Sequence, residues 1–431
     1  MKKLLIGVVI LLVAYVGVLF VAKNNAATVF EDEVAKINST FPVVAVVNEQ
    51  SSGLLSKSAT IDVRDQSSPE VIFHLQQTLS YGPVMFTEEG VKFGWFFLST
   101  DILPSDKLKT ELPPEINIDD LFDIYFMSGF SGSVEGDFYF KGFELAMEGN
   151  SINIAKAEMH VDTDLGFKQL DASGNWPGMS FNDGRGNFMI DNMEFDSKQT
   201  LISGDLLAGT GLYEGYGVYK LGKVEMNKGP EAFLFEDMYM KAATALTGSD
   251  KQAMDISMEM KTGKVAVANE TFTDTTMNLY FRNLDLDTLQ QISAVTQKMQ
   301  AAVMEGLDTS GYNAELSALM MTLVQKGPSI ELKDTQVVTT DGPIKAQLAV
   351  NVDKDKVDPQ MPMAMIAAVD AKLNAEAPEA FFANRGLSPM VQQYEQMNFV
   401  VRDNGTLRVE ATFQNGQPLV NGKPMQGMPG M

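Results

Sequence analysis

Two histidines and no cysteine narrow the chemistry open to this 431-residue chain before any fold is considered. Without cysteine there is no thiol nucleophile, no disulfide framework and no Cys-ligated zinc or iron–sulfur cluster. Two histidines cannot build a three-His zinc site. One of them opens the run His160-x-Asp162-x-Asp164. In a strand, residues i, i+2 and i+4 share a face, so three ligand-type side chains would line one edge. Met159, Val161 and Leu165 fall on the other face, however, and the polar side reads as an ordinary solvent face. His74 sits in Phe73-His74-Leu75 with no partner motif and reads as a hydrogen-bonded surface residue rather than a base.

Two glycine-rich loops imitate ligand motifs without their context. Gly209-Thr210-Gly211-Leu212-Tyr213-Glu214-Gly215 has the wrong spacing for a dinucleotide loop and no βαβ frame, so it reads as a connection. Asn182-Asp183-Gly184-Arg185-Gly186-Asn187 has the composition of a calcium loop but not its order, and a hairpin turn explains it better. No G-x-S-x-G, H-E-x-x-H or P-loop occurs. A hydrolase using a carboxylate pair remains as an alternative, but nothing singles out the pair. No catalytic, cofactor-binding or metal-binding residue is assigned, and the expectation is a protein that is not an enzyme.

Charge and methionine say more. A formal net charge of −23 repels nucleic acid and anionic headgroups, so neither is an expected partner. Methionine is abundant, 27 residues, and its unbranched side chain adapts to varied apolar ligands. Met254, Met258 and Met260 alternate with Asp255, Ser257 and Glu259 and are candidate lining for an apolar groove, with a methionine-filled core as the alternative. Phe93, Trp95 and Phe97 form another apolar face, in which Trp95 and Phe97 read as core.

The elements that must position these residues follow from periodicity. Leu4 to Ala22 is 19 residues without a charge, about 28 Å as a helix, flanked by Lys2, Lys3 and Lys23. It is long for a signal peptide, and Asn24 and Asn25 occupy the position where a cleavage site wants a small residue. An uncleaved anchor is therefore expected, with the N-terminus cytoplasmic and the bulk outside. Residues 24–283 alternate with period two in short runs, the pattern of antiparallel strands. Residues 284–424 read as α+β: helical spacing over Leu289 to Val303 and Leu316 to Leu323, a hairpin at Asp341-Gly342, helices again near Met361 to Ala375 and Pro389 to Met397, and a hairpin at Asn404-Gly405. The two turns stand 63 residues apart, which suggests a duplicated helix–helix–hairpin unit. Residues 425–431 read as a disordered tail. The expected class is α+β: a transmembrane helix, an extended antiparallel β-rich region, and C-terminal helix–helix–hairpin units.

Several short segments match a known family. They are Ser52-Gly53-Leu54-Leu55-Ser56-Lys57-Ser58-Ala59, Ser80-Tyr81-Gly82-Pro83, and Asn415-Gly416-Gln417-Pro418-Leu419-Val420-Asn421-Gly422-Lys423-Pro424-Met425. With the N-terminal helix, the chain resembles the YdgA-like family of Gram-negative envelope proteins, a domain-of-unknown-function family. Ser52 stands where that family has Arg, Leu54 or Leu55 where it has an aromatic, and Tyr81 where it has His. The resemblance implies an inner-membrane, single-pass protein with its bulk in the periplasm, and carries no catalytic residue. The matching residues Gly53, Ser56, Ala59, Gly82, Pro83, Asn421 and Gly422 read physically as structural: a bulge at Gly53, a strand break at Gly82-Pro83, and tight turns at the Asn-Gly pairs.

The expected function is an anchored envelope protein that binds an apolar ligand such as lipid in a β groove. The alternative is a scaffold that pairs with other envelope proteins through strand edges. The partners are then the membrane through Leu4 to Ala22 and lipid or envelope proteins, and a homo-oligomer is compatible with the sequence.

Overall fold

Alternating apolar residues drive antiparallel pairing through most of the chain. A computed structural model describes residues 34–424, except 36–37, 39–42, 66–69, 112–120, 148, 165, 205–209, 230–231, 249, 269, 305 and 358–365. The expected anchor and the tail 425–431 lie outside the described residues. Among the described residues no helix is long and apolar enough to cross a membrane. The chain divides into two compact units, one ending at Leu201 and the other starting at Ile202.

The first unit is an antiparallel meander. Its strands are β1 (Val43–Ser52), β2 (Ser56–Asp65), β3 (Val71–Tyr81), β4 (Val84–Thr87), β5 (Gly90–Phe93), β6 (Phe96–Pro104), β7 (Phe122–Ser128), β8 (Ser133–Phe140), β9 (Phe143–Met147), β10 (Asn150–Ile154), β11 (Ala157–Asp164), β12 (Gln169–Asn182) and β13 (Asn187–Ser203). Pairing runs β1–β2–β3–β6–β7–β8–β11–β12–β13. The β9–β10 hairpin lies against one half of β12. A short helix, α1 (Asp106–Glu111), follows β6.

Period-two patterning gives this unit one dry core. Ile61 and Val63 of β2, Phe73, Leu75 and Leu79 of β3, Leu98 of β6, and Ile124 and Phe126 of β7 are all essentially inaccessible. Phe138 meets Phe126 edge to face at 5.2 Å. Burial of such side chains stabilises by about 1.5–3 kcal/mol each.

The second unit carries the longer strands: β14 (Leu212–Asn227), β15 (Phe233–Thr247), β16 (Ala253–Val267) and β17 (Glu270–Asp285). Two helices, α2 (Leu286–Met304) and α3 (Ser310–Gln325), interrupt the meander before β18 (Ser329–Thr339) and β19 (Gly342–Val352). Asp285 caps α2, accepting from the backbone and hydroxyl of Thr288 at 3.0 and 2.6 Å. Then come β20 (Val369–Pro378), α4 (Glu379–Ala383), α5 (Ser388–Gln396), β21 (Val401–Asp403), β22 (Thr406–Gln414), β23 (Gln417–Val420) and β24 (Lys423–Pro424). Pairing again follows chain order, β14 through β20 and then β22, β23 and β24, with β21 beside β22.

This corrects the α+β reading. The described chain is predominantly one kind of structure, antiparallel strand, and its helices are insertions between strands. The helix pairs α2–α3 and α4–α5 are excursions between strands of the second unit's sheet rather than the basis of separate helix–helix–hairpin units. Val369 to Ala375, read as the end of a helix, belongs to β20, a strand held by β19 on one side and β22 on the other. Its Val369, Ala371, Leu373 and Ala375 satisfy period two, and two full ladders of backbone hydrogen bonds override the helix propensity of alanine.

Candidate functional site

Following register across the second unit shows what one strand cannot. Met258 of β16 pairs with Ala242 of β15 and Leu279 of β17. Leu279 pairs with Leu332, Leu332 with Leu348, Leu348 with Leu373, Leu373 with Ala411, and Ala411 with Val420. The next row on the same face runs Thr244, Ile256, Phe281, Ile330, Val350, Ala371, Phe413 and Pro418. Two adjacent rows are thus almost wholly apolar across eight strands. At about 4.8 Å per strand the stripe is roughly 34 Å long.

The stripe is not a closed core. Leu279, Phe281, Leu332, Leu348, Leu373 and Phe413 are only partly buried, and Met258 and Ile330 are 37% and 38% exposed. Met254, by contrast, is buried opposite Leu284 and does not line an open surface. Met260 faces Met240 and Met277 and is partly buried.

The opposite face of the same sheet is charged. Arg282 bridges Glu331 at 3.1 Å and Asp255 at 3.4 Å, and Lys333 adds a 2.7 Å contact to Glu331. Hydrogen bonds from Lys333 lead the effects on Glu331 and hold its carboxyl below the usual range against burial. Farther along, the same face forms a cleft of about 920 Å³ lined by Gln336, Lys345, Gln347, Asn374, Glu376 and Arg408 among others. Within it, Lys345 and Arg408 both pair with Glu376, at 3.1 and 3.8 Å. Sequence inspection missed this cleft, because its lining comes from six strands whose register only pairing reveals.

The family-motif residues of the first unit gather at one end of its sheet. Gly53 donates to the Ser56 carbonyl at 2.7 Å and closes the β1–β2 turn; the only irregularity in the β1–β2 register lies at Val47/Glu49 instead. Ser56 opens β2 opposite Ser80, and Ala59 is buried in the core. Gly82-Pro83 ends β3. Gly82 donates to the Trp95 carbonyl and Gly94 to that of Pro83, and a Cβ at Gly82 would sit 1.6 Å from the Gly94 oxygen. This crossing breaks the alternation expected through Phe93, Trp95 and Phe97. Phe97 is buried and stacks on Tyr125 at 5.7 Å, whereas Phe93 and Trp95 are exposed, so Trp95 is not core. The β4–β5 hairpin folds over the outer face of the sheet with Met85 inward, and Glu89 hydrogen-bonds Tyr125. In the second unit Asn421-Gly422 makes the β23–β24 turn, both with positive φ, and Asn421 also donates to Asn398 and accepts from the Glu410 amide.

His160 lies between two carboxylates, Nδ1 2.7 Å from Asp137 and Nε2 3.0 Å from Asp162. The hydrogen bond to Asp137 raises its pKa, opposed by partial burial. Asp164 turns away to accept from the amides of Gly166 and Gln169. His74 contacts Asp62 at 2.7 Å. Among the described residues no three His, Asp or Glu side chains are placed to hold a metal ion. The Asn182–Asn187 segment is the β12–β13 turn, where Asp183 accepts from the Arg185 and Gly186 amides. Of the Gly209–Gly215 loop, Gly209 lies outside the described residues and Leu212 already begins β14.

Compared with known families, residues 1–427 match the model of a bacterial protein of unknown function, DUF945. No curated protein and no solved structure matches the chain.

Proposed function

The chain belongs to the DUF945 family of bacterial proteins, and from that premise we propose that it is a membrane-anchored envelope protein that holds an acyl chain along the apolar stripe of its second unit. The observation that carries this reading is the contrast between the two units. In the first, large apolar side chains from β2 to β8 are removed from water. In the second, two apolar rows cross eight strands with most of their side chains only partly buried and with Met258 and Ile330 exposed. A contiguous apolar stripe left partly open to solvent supports a binding surface. The shape favours a linear occupant: a stripe two rows wide and roughly 34 Å long is comparable with the ~30 Å hydrocarbon core of a bilayer. Methionines at Met258, Met260, Met240 and Met277 suit chains of varied length and unsaturation, because thioether side chains repack readily. No reaction is proposed, since the charged groups of the opposite face pair with one another.

Native mass spectrometry with lipid extraction on the detergent-purified full chain tests the reading. Lipid should accompany the wild type and be lost in Met258→Asp and Leu348→Asp variants whose circular dichroism is unchanged. Absence of lipid from every preparation would favour the scaffold alternative, for which β1 offers exposed Val44 and Val46.

A further inference from the structure

We propose that one end of the first unit inserts into the headgroup region of a zwitterionic bilayer through Leu54, Leu55, Phe86, Phe93, Trp95 and Phe130. All six are exposed, Leu54 at 95% and Phe86 at 75%. They come from four separate segments that the backbone binds together. Tyr81 donates to the Leu55 carbonyl at 3.0 Å, Gly82 to Trp95 at 2.9 Å, and Trp95 to Ser128 at 2.8 Å. Trp95 then meets Phe130 edge to face at 5.5 Å. In the β4–β5 hairpin Val84 pairs with Phe93 and Phe86 with Val91, so its outward face is entirely apolar. A cluster of Trp, Phe and Leu on turns and on the face of the β4–β5 hairpin has the composition of a bilayer interface, where amphipathic rings settle at headgroup depth.

Chain length makes a bilayer, rather than a protein, the occupant. The inference rests on the anchored reading of Leu4 to Ala22. From Lys23 to Val34 the chain takes eleven steps, a reach of at most about 40 Å. Asn38 is fixed to Ala45 by hydrogen bonds in both directions. Ala45 lies seven residues from Ser52 at the apolar end of β1, about 23 Å along the strand. A tether leaving the membrane at Lys23 therefore spans the height of the sheet and lets the apolar end rest on the same bilayer. The net charge of −23 excludes anionic headgroups, so a zwitterionic surface is the matching one.

The test uses the full chain with Trp176→Phe, which leaves Trp95 as the sole tryptophan, reconstituted into phosphatidylcholine vesicles brominated near the headgroup. Trp95 emission should be shifted to the blue and quenched. Phe86→Ser with Phe93→Ser, both exposed positions, should weaken the quenching without loss of fold. Deleting residues 24–29 shortens the tether to about 17 Å and should abolish quenching while the protein still floats with the vesicles. Floating protein whose Trp95 is not quenched overturns the insertion and leaves the anchor intact. Quenching that survives the deletion overturns the geometry. A chain that does not float overturns both readings together.

Discussion

Replacing Met258 and Leu79 separately by alanine distinguishes an open apolar stripe from a closed core. Leu79 is 1% exposed and sits inside the first unit's dry cluster. Its truncation removes buried methylenes and leaves a cavity, which costs about 2–5 kcal/mol. Met258 is 37% exposed, so roughly three-fifths of its surface is shielded. Full burial of a methionine contributes about 1.5–3 kcal/mol, and scaling by the shielded share gives about 1–2 kcal/mol for Met258→Ala, with no cavity contribution because water fills the space. Urea unfolding of the delipidated protein, followed separately by Trp fluorescence for the first unit and far-ultraviolet circular dichroism for the whole, measures both. Adding lipid should then stabilise the wild type more than Met258→Ala, because only the folded stripe binds it. A cost for Met258→Ala equal to that of Leu79→Ala, unaffected by lipid, would show that the stripe is an ordinary core and refute the reasoning.

Three further outcomes follow from the geometry. His160 has a folded pKa raised by Asp137, so its contribution to stability is complete below the unfolded value of about 6.5 and is lost as pH rises through the folded one; His160→Gln should flatten that part of the melting-temperature profile, and added salt should do the same because the site is largely exposed. Asp285 is held low because the Thr288 and Lys326 hydrogen bonds outweigh its burial, so its contribution is present above the unfolded pKa and lost as pH falls through the folded one. Asp285→Ala should destabilise by about 1 kcal/mol at neutral pH and by less in acid, read by chemical denaturation. Gly82→Ala should cost about 3 kcal/mol or more, since backbone rather than a flexible side chain occupies the Cβ position, and a melting temperature within error of wild type would contradict the crossing.

Much of the strand content is legible from alternation alone, as Ile152-x-Ile154 and Met254 to Met260 demonstrate. Turns are legible too, because Asn404-Gly405, Asn415-Gly416 and Asn421-Gly422 supply the successive positive φ values that two-residue hairpin loops need. Legibility ends where tertiary contact overrides the local pattern. Nothing around Phe93 to Phe97 signals that Gly94 passes against Gly82, and that single contact exchanges which aromatics face inward. The second-unit stripe is hidden for a different reason. Each strand shows an apolar side, but only the register at bulges, such as those between Met254 and Ile256 or Leu332 and Thr335, decides whether neighbouring sides align. The helix read into Met361 to Ala375 fails over Val369 to Ala375 because alanine fits either period and the deciding partners, β19 and β22, come from elsewhere in the chain.

The pairing order of the second unit has a consequence for how it is made. From β14 to β20 each strand meets the one that precedes it, mostly across a tight turn, and the α2–α3 excursion is the long detour among the described elements. Contacts between residues near in sequence require little loop closure, and low contact order goes with rapid folding. A chain emerging N-terminus first can therefore lay each hairpin onto a finished edge and never wait for a distant partner. Growth of this kind leaves a single reactive edge at any moment, which limits the exposure of unpaired strands to neighbouring molecules during synthesis.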